Sequence, residues 1–425
     1  MTTKQHLRQF LGSSLWSGLS IGAKSISTLV VNKLFAVAYG PNGITLLSHF
    51  LNLIGLLTTL ASSGINSGAL RNLALHEPAT EKYRTFFWTA LFLNLMSLGG
   101  GLVVVFLFPG FFLERFAPVL QELKGWGAAV GVLLLFLFLL QLYWQSVLLA
   151  RQALRPYVIL AFITSGVNMV ATWWATRYVP VGQALLLFLA GQAVSGIIGG
   201  VQAYSKGLFP AWRAWGGGKE VLQEMGKFLL MALSSLVALR LVEFTVREIA
   251  MERFSLYDTG LWQAVVRISD NYTMVFTAAL GIAYYPRISA LLPEPAQLRS
   301  FVRSIFWLLV PVVGAGLLLF SYTREFFILL LFNKEFLAAS DLLDYQLIGD
   351  FLKMTGWVLS YLVTVQARVR LFVLTQLGSG ALYLVLVLWL LPIFGLQGFT
   401  IAHALRYAVY LLFHLWLFRS YFSTK

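Results

Sequence analysis

The stretch WQAVVRISDNY (262–272) places Arg267 and Asp270 three residues apart inside a run that otherwise suits lipid. Two further pairs repeat this spacing, Arg240 with Glu243 and Asp350 with Lys353. Residues i and i+3 share one face of a helix and can meet. Lys24 and Arg406 lie in comparably apolar surroundings without such a neighbour. A basic side chain at the centre of a membrane helix costs roughly 2.5–3.5 kcal/mol on insertion scales, so each of these residues is expected to face protein or a wet cavity. A single pair reads equally well as a structural clasp that lowers the insertion cost. The set as a whole does not, because five basic residues against three acids leave a net positive charge near the midplane. Such a cavity suits an anion. The oxygens of a pyrophosphate diester are apt partners for arginine and lysine.

The elements that position these charges follow from composition. The chain of 425 residues is 59% hydrophobic and 11% charged, with a mean hydropathy of +0.78. Soluble domains carry about 25% charged residues, so this is an all-α integral membrane protein. Twelve spans are predicted, at 12–38, 44–70, 85–109, 126–150, 157–179, 183–204, 225–249, 256–285, 302–323, 339–366, 370–391 and 397–418. Each provides about the 20 apolar residues that crossing a bilayer requires. Unbroken runs such as GVLLLFLFLLQLYW lack the alternation of a β-barrel strand. Residues 325–332 are apolar but too short to span, and are expected to extend a neighbouring helix or to lie at the interface. No cleavable leader is visible.

With the N-terminus placed inside, the cytoplasmic loops hold more than twice as many Lys and Arg residues as the outer ones. That predicts cytoplasmic N- and C-termini. The formal charge of +14 is read as orientation and attraction to anionic headgroups, with no nucleic-acid partner. A glycine-containing loop at 207–220 is the expected linker between an N-lobe (1–206, spans one to six) and a C-lobe (221–425, spans seven to twelve). The halves are faintly alike. YGPNGI (39–44) opens span two and YDTGLW (257–262) opens span eight, and a basic residue, Arg71 or Arg287, follows each at similar distance. Paired six-helix repeats are a frequent transporter architecture.

Other residues carry less. His403, one turn from Arg406, and His49 read as packed or interfacial. The thirteen tryptophans read mostly as interface anchors. The absence of cysteine excludes disulfides, thiolate metal sites and cysteine nucleophiles. No P-loop, HExxH or GxSxG is present, and neither a cofactor nor a metal site is expected.

Three segments, KSISTLVVNKLFAVAYGPNGI (24–44), GLWQAVVRISDNY (260–272) and DLLDYQLIGDFLK (341–353), resemble the Wzx-type O-antigen flippases. They are most similar to the lipid III flippases of enterobacterial common antigen synthesis. These form the polysaccharide-transporter branch of the MATE-like (MOP) flippase superfamily. The resemblance runs over essentially the whole chain. It implies two six-helix lobes around a central cavity. It also implies transport of an undecaprenyl-pyrophosphate-linked oligosaccharide from the inner to the outer leaflet of the bacterial inner membrane. Polysaccharide polymerase and chain-length-control proteins are the implied partners. Lys24, Lys33, Asp270, Asp350 and Lys353 match the shared motifs, and a basic residue at Arg71 fits. Arg240, Glu243, Arg267 and Arg406 do not belong to that pattern, and their assignment rests on the charge argument alone. The expected substrate contacts are therefore Lys24, Arg71, Arg240, Arg267, Lys353 and Arg406. Asp270, Asp350 and Glu243 are expected in ion coupling or charge pairing.

Two rival readings differ in what they require. A MATE-type exporter of small molecules favours organic cations and an acidic cavity, against the net positive charge here. A membrane enzyme of polysaccharide assembly generally needs a large extramembrane loop, whereas the longest loops here have about 20 residues. Exchanging Arg267 and Asp270 separates clasp from substrate contact. The expected outcome is normal membrane insertion with poor transport, and full transport by the swapped protein would reduce the pair to a clasp.

Overall fold

In the computed structural model, residues 3–59, 64–107, 110, 117–151, 153–211, 221–226, 229, 241–366 and 368–422 are described. The chain is helical, with no strand among these residues. The N-terminal half forms α1 (Thr3–Thr59), α2 (Asn66–Leu75), α3 (Glu81–Leu107), α4 (Ala117–Ala150), α5 (Leu154–Tyr178) and α6 (Val181–Ser205). The C-terminal half forms α7 (Val242–Arg253), α8 (Leu256–Ala279), α9 (Tyr285–Ala290), α10 (Pro295–Tyr322), α11 (Arg324–Leu331), α12 (Leu342–Val365), α13 (Val369–Phe394) and α14 (Gln397–Leu417). A π-helical turn (Leu280–Tyr284) joins α8 to α9. The predicted linker falls largely outside the described residues, as do Arg240 and the centre of the span expected at 225–249.

Seven of the described helices are long and apolar enough to cross a membrane. They do not include α8, α12 or α14, which have 24, 24 and 21 residues. Those three are of spanning length, but they carry Arg267, Asp270, Asp350, Lys353 and Arg406, and these residues dilute their hydropathy. The first two expected spans are two helices within the α1 range that meet at a kink, at Gly40 (φ 61°, ψ −160°) with Pro41 directly after it. Positive φ suits glycine, and proline cannot continue the helical hydrogen bonding. The second expected span is described as far as Thr59, residues 60–63 lie outside the described residues, and α2 follows. Residues 324–331 form a short helix of their own rather than an extension of α10, because the helix ends at Thr323.

The chain folds as two compact units. The first comprises residues 1–39 and 46–240. Its core gathers Leu73, Tyr83, Phe87, Tyr143, Trp144 and Leu160. Each buried phenol finds a backbone acceptor, Tyr143 at the Phe87 carbonyl (2.7 Å) and Tyr83 at the Leu208 carbonyl (3.0 Å). An aromatic ring in an apolar core needs such a partner for its hydroxyl.

The second unit comprises residues 40–45 and 241–425. Six residues of the N-terminal half are thus built into it. The Pro41 carbonyl lies against Gly260, where a Cβ would overlap it. The Thr45 hydroxyl donates to the Leu256 carbonyl at 2.8 Å. These contacts join the YGPNGI and YDTGLW segments, the very stretches whose likeness suggests a repeat. Ser255 caps α8 by accepting from the Asp258 N–H at 3.0 Å, which fixes where this helix starts. Farther along, Trp262 stacks on Phe399 of α14, with centroids 4.4 Å apart. Between them these contacts set α8 against α14 and aim the Arg267–Tyr272 turn.

Gly260→Ala forces a methyl into the Pro41 backbone. Overpacking of this kind costs about 1–3 kcal/mol, so the variant should unfold at lower temperature in a thermal melt of purified protein. Gly316→Ala, where nothing lies within 4 Å of the added carbon, should melt at or above the parent.

Candidate functional site

Asp350, near the middle of α12, is fully buried at 0% exposure. A carboxylate removed from water must be met by donors or cations. Four surround it. His403 Nε2 on α14 is 3.0 Å from Oδ1, and Lys353 Nζ is 3.8 Å from the same oxygen. Gln346 Nε2, one turn earlier on α12, lies 3.4 and 3.3 Å from the two oxygens. The Tyr272 hydroxyl on α8 donates to Oδ2. A carboxylate offers about four lone-pair sites, so this shell satisfies it. Gln346 also donates to Ser269 Oγ of α8 at 3.2 Å. One side chain therefore ties α8, α12 and α14 together. Gly349 permits the approach, since a Cβ there would overlap the His403 ring and stand 3.0 Å from the Ala404 nitrogen. Two to three turns farther along, Tyr410 of α14 donates to Ser360 Oγ of α12 at 2.8 Å.

Two of the expected cations lie beside this cluster on aromatic faces. Lys353 Nζ sits 5.0 Å from the Trp357 ring and 5.9 Å from that of Tyr407. The Arg406 guanidinium lies 4.8 Å from the same Tyr407 ring and 5.3 Å from Tyr383. Its Nε donates to Ser379 Oγ at 2.7 Å. Among the described residues, no carboxylate forms an ion pair with Arg406. Aromatic faces stabilise a cation without neutralising it, so Arg406 keeps its positive charge while Lys353 is paired with Asp350.

Of the other expected site residues, Asp270 lies within electrostatic reach of Lys353 and Asp350. Arg267 is half-buried on α8, and its carbonyl accepts from Asn271 Nδ2 at 2.7 Å. Asp270 is exposed and forms no ion pair among the described residues. Glu243 is exposed on α7. Lys24 and Arg71 belong to the first unit. Lys24 is exposed on α1, 5.7 Å from the Tyr157 ring, and Arg71 on α2 pairs with Glu224 at 3.2 Å. The structure thus brings Asp350, Lys353 and, through Tyr407, Arg406 together.

The charge pattern left out Tyr272, Gln346, His403 and Tyr407. A helical wheel of α14 would have shown His403, Arg406, Tyr407 and Tyr410 along one stripe. No comparable signal joins Tyr272 to Asp350, which are 78 residues apart.

No protein-family model matches the chain. It is 30% identical over 407 residues to the lipid III flippase of Escherichia coli strain K12, covering 94% of this chain and 95% of that one. Two solved structures share its fold. One is an inward-facing multidrug resistance MATE family transporter of the MOP superfamily (TM-score 0.73, 14% identity, 94% of this chain and 96% of that one). The other is the lipid II flippase MurJ in an inward closed conformation (TM-score 0.71, 11% identity, 96% of this chain and 87% of that one). At these identities the two structures establish the MOP fold.

Breaking a buried ion pair from one side costs about 3–5 kcal/mol, because the other charge is left without its partner. Asp350→Asn and Lys353→Met should each lower the melting temperature markedly. The double variant should recover a large part of the loss. Additive losses, measured by the same thermal melt, would show that the two side chains do not act as a pair.

Proposed function

We propose that this chain, which belongs to the lipid III flippase family, moves an undecaprenyl-pyrophosphate-linked oligosaccharide, lipid III or an O-antigen repeat unit, from the cytoplasmic to the periplasmic leaflet of the bacterial inner membrane. The observation that carries this reading beyond family membership is the state of two cations, the buried Lys353 and the half-buried Arg406. Lys353 and Arg406 rest on aromatic rings, and Arg406 keeps its charge uncompensated by any described carboxylate. That arrangement suits a doubly charged pyrophosphate and disfavours an organic cation of the kind a drug exporter takes.

In this reading the protein works by alternating access. Its N-lobe (1–206) and C-lobe (221–425) are joined by the 207–220 linker, and both termini are cytoplasmic. Lys24, Arg71, Arg240, Arg267, Lys353 and Arg406 are the proposed substrate contacts. Asp270, Asp350 and Glu243 answer them as counter-charges or coupling groups. The protein transports and does not transform its substrate, and it hands the flipped lipid to the polymerase and chain-length-control proteins of the same assembly line. The membrane potential supports the direction of movement. Each negative charge carried outward gains about 2.3 kcal/mol per 100 mV, so a dianionic headgroup gains roughly twice that.

Proteoliposomes provide the test. The purified chain should flip a polyprenyl-pyrophosphate-linked oligosaccharide, and faster under a potassium–valinomycin potential at constant pH. It should not expel a cationic dye under a pH gradient. The Lys24→Ala, Lys353→Ala double variant should insert and flip poorly. Dye export without lipid flipping by the parent chain would overturn the reading in favour of a drug exporter.

A further inference from the structure

A cavity of about 390 Å³ lies between α13 and α14, walled by Leu371, Leu374, Leu382, Val409 and Phe413. Thr375, Ser379, Arg406 and Tyr410 bring polar groups to it, and the Tyr410 hydroxyl is already committed to Ser360 Oγ. This volume falls within the roughly 300–1,000 Å³ of ligand sites, and such sites typically combine apolar walls with a few placed polar groups. Arg406 is the charged group of this lining. Its Nε is committed to Ser379, and its two terminal nitrogens form the fork that matches a phosphate.

We propose that this groove holds the pyrophosphate-proximal part of the polyprenyl chain of the transported lipid, with Arg406 against the pyrophosphate. The proposal rests on the flippase reading above and adds to it a place for the lipid anchor. Charge and shape together choose the occupant. A soluble anion would gain nothing from the leucine, valine and phenylalanine walls, and a neutral apolar chain would leave the guanidinium unanswered. An amphiphilic anion satisfies both. The walls continue to the surface, where Leu374 is 67% and Val409 52% exposed, so a longer chain can leave the groove sideways into lipid. The cavity is too small for the glycan as well, which confines its role to the region around the phosphate.

Gly378 supports this assignment. It sits inside α13, where glycine is less favourable than alanine. It is not needed for helix packing, since nothing lies within 4 Å of a carbon added there. What its missing side chain leaves is space within the groove. The bilayer adds a second constraint. An apolar chain gains little by exchanging lipid for an apolar protein wall. Selectivity must therefore come from the charged contact, and neutral polyprenol should compete poorly.

The test uses the full chain in nanodiscs of phosphatidylethanolamine and a diazirine-bearing polyprenyl diphosphate, with labelled peptides mapped after photolysis. Labelling is expected on α13 and α14. Arg406→Gln should reduce it at least about tenfold, the loss of one charge-assisted contact. Gly378→Leu, which fills the groove, should do the same and slow flipping in proteoliposomes. Gly378→Ala reports on folding, and Leu374→Trp fills the groove from its rim should Gly378→Leu fail to insert. Labelling elsewhere, or labelling and flipping indifferent to both filling variants, would overturn the groove assignment while leaving the flippase reading intact. Displacement of the probe by an equal concentration of phosphatidylglycerol would overturn it in favour of a resident phospholipid. Labelling of the groove by a chain that does not flip the lipid would support the site and remove the transport reading.

Discussion

Everything in the second unit answers to the burial of one carboxylate. Asp350 has no exposed surface, and a charge in that position is tolerable only with all its lone pairs met. Meeting them draws in α8 through Tyr272, α14 through His403 and α12 itself through Gln346 and Lys353. The helices must then pass close enough for short polar side chains to reach, which is why glycine stands at 349 beside the His403 ring. Helices in lipid gain no hydrophobic energy by associating, so polar contacts and close backbone approach carry the specificity of their packing. A hydrocarbon core of the same volume would hold the three helices together without choosing their register.

The cations are treated differently from the anion. Asp350 is enclosed by donors, whereas Lys353 and Arg406 are propped against Trp357, Tyr383 and Tyr407. The distinction is chemical. Hydrogen-bond donors around a carboxylate saturate it and take it out of play. Ring faces lower the energy of a guanidinium while leaving most of its N–H groups unsatisfied. The distinction is sharpest at Arg406, since Lys353 also pairs with Asp350.

Much of the fold was legible in the sequence, because apolar runs of membrane length have few alternatives. The helices carrying the charges were legible too, although α8, α12 and α14 fall below an ordinary hydropathy criterion. The Asp350–Lys353 contact was legible because it is local, one turn of one helix. The other partners of Asp350 were not, since Tyr272 and His403 reach it from distant segments and periodicity does not encode which helices will meet. His403 illustrates the difficulty. Read alone it is an ordinary packed histidine, and only its neighbour across the helix boundary gives it a role. The break at Gly40 was legible as well, because a glycine followed by proline between two apolar runs marks where one helix stops and the next begins.

The kink at Gly40 has a consequence for how the protein can be divided. Residues 40–45 belong to the second unit although the chain on either side of them belongs to the first. The gene therefore has no single cut that yields two self-sufficient pieces. A break anywhere between residues 207 and 220 would strand the peptide that packs on Gly260 and Leu256 with the wrong fragment. Chimaeras between relatives meet the same difficulty. A C-terminal half borrowed from another member would arrive without its matching hexapeptide, so exchange of glycan preference by recombination should succeed only when both segments travel together.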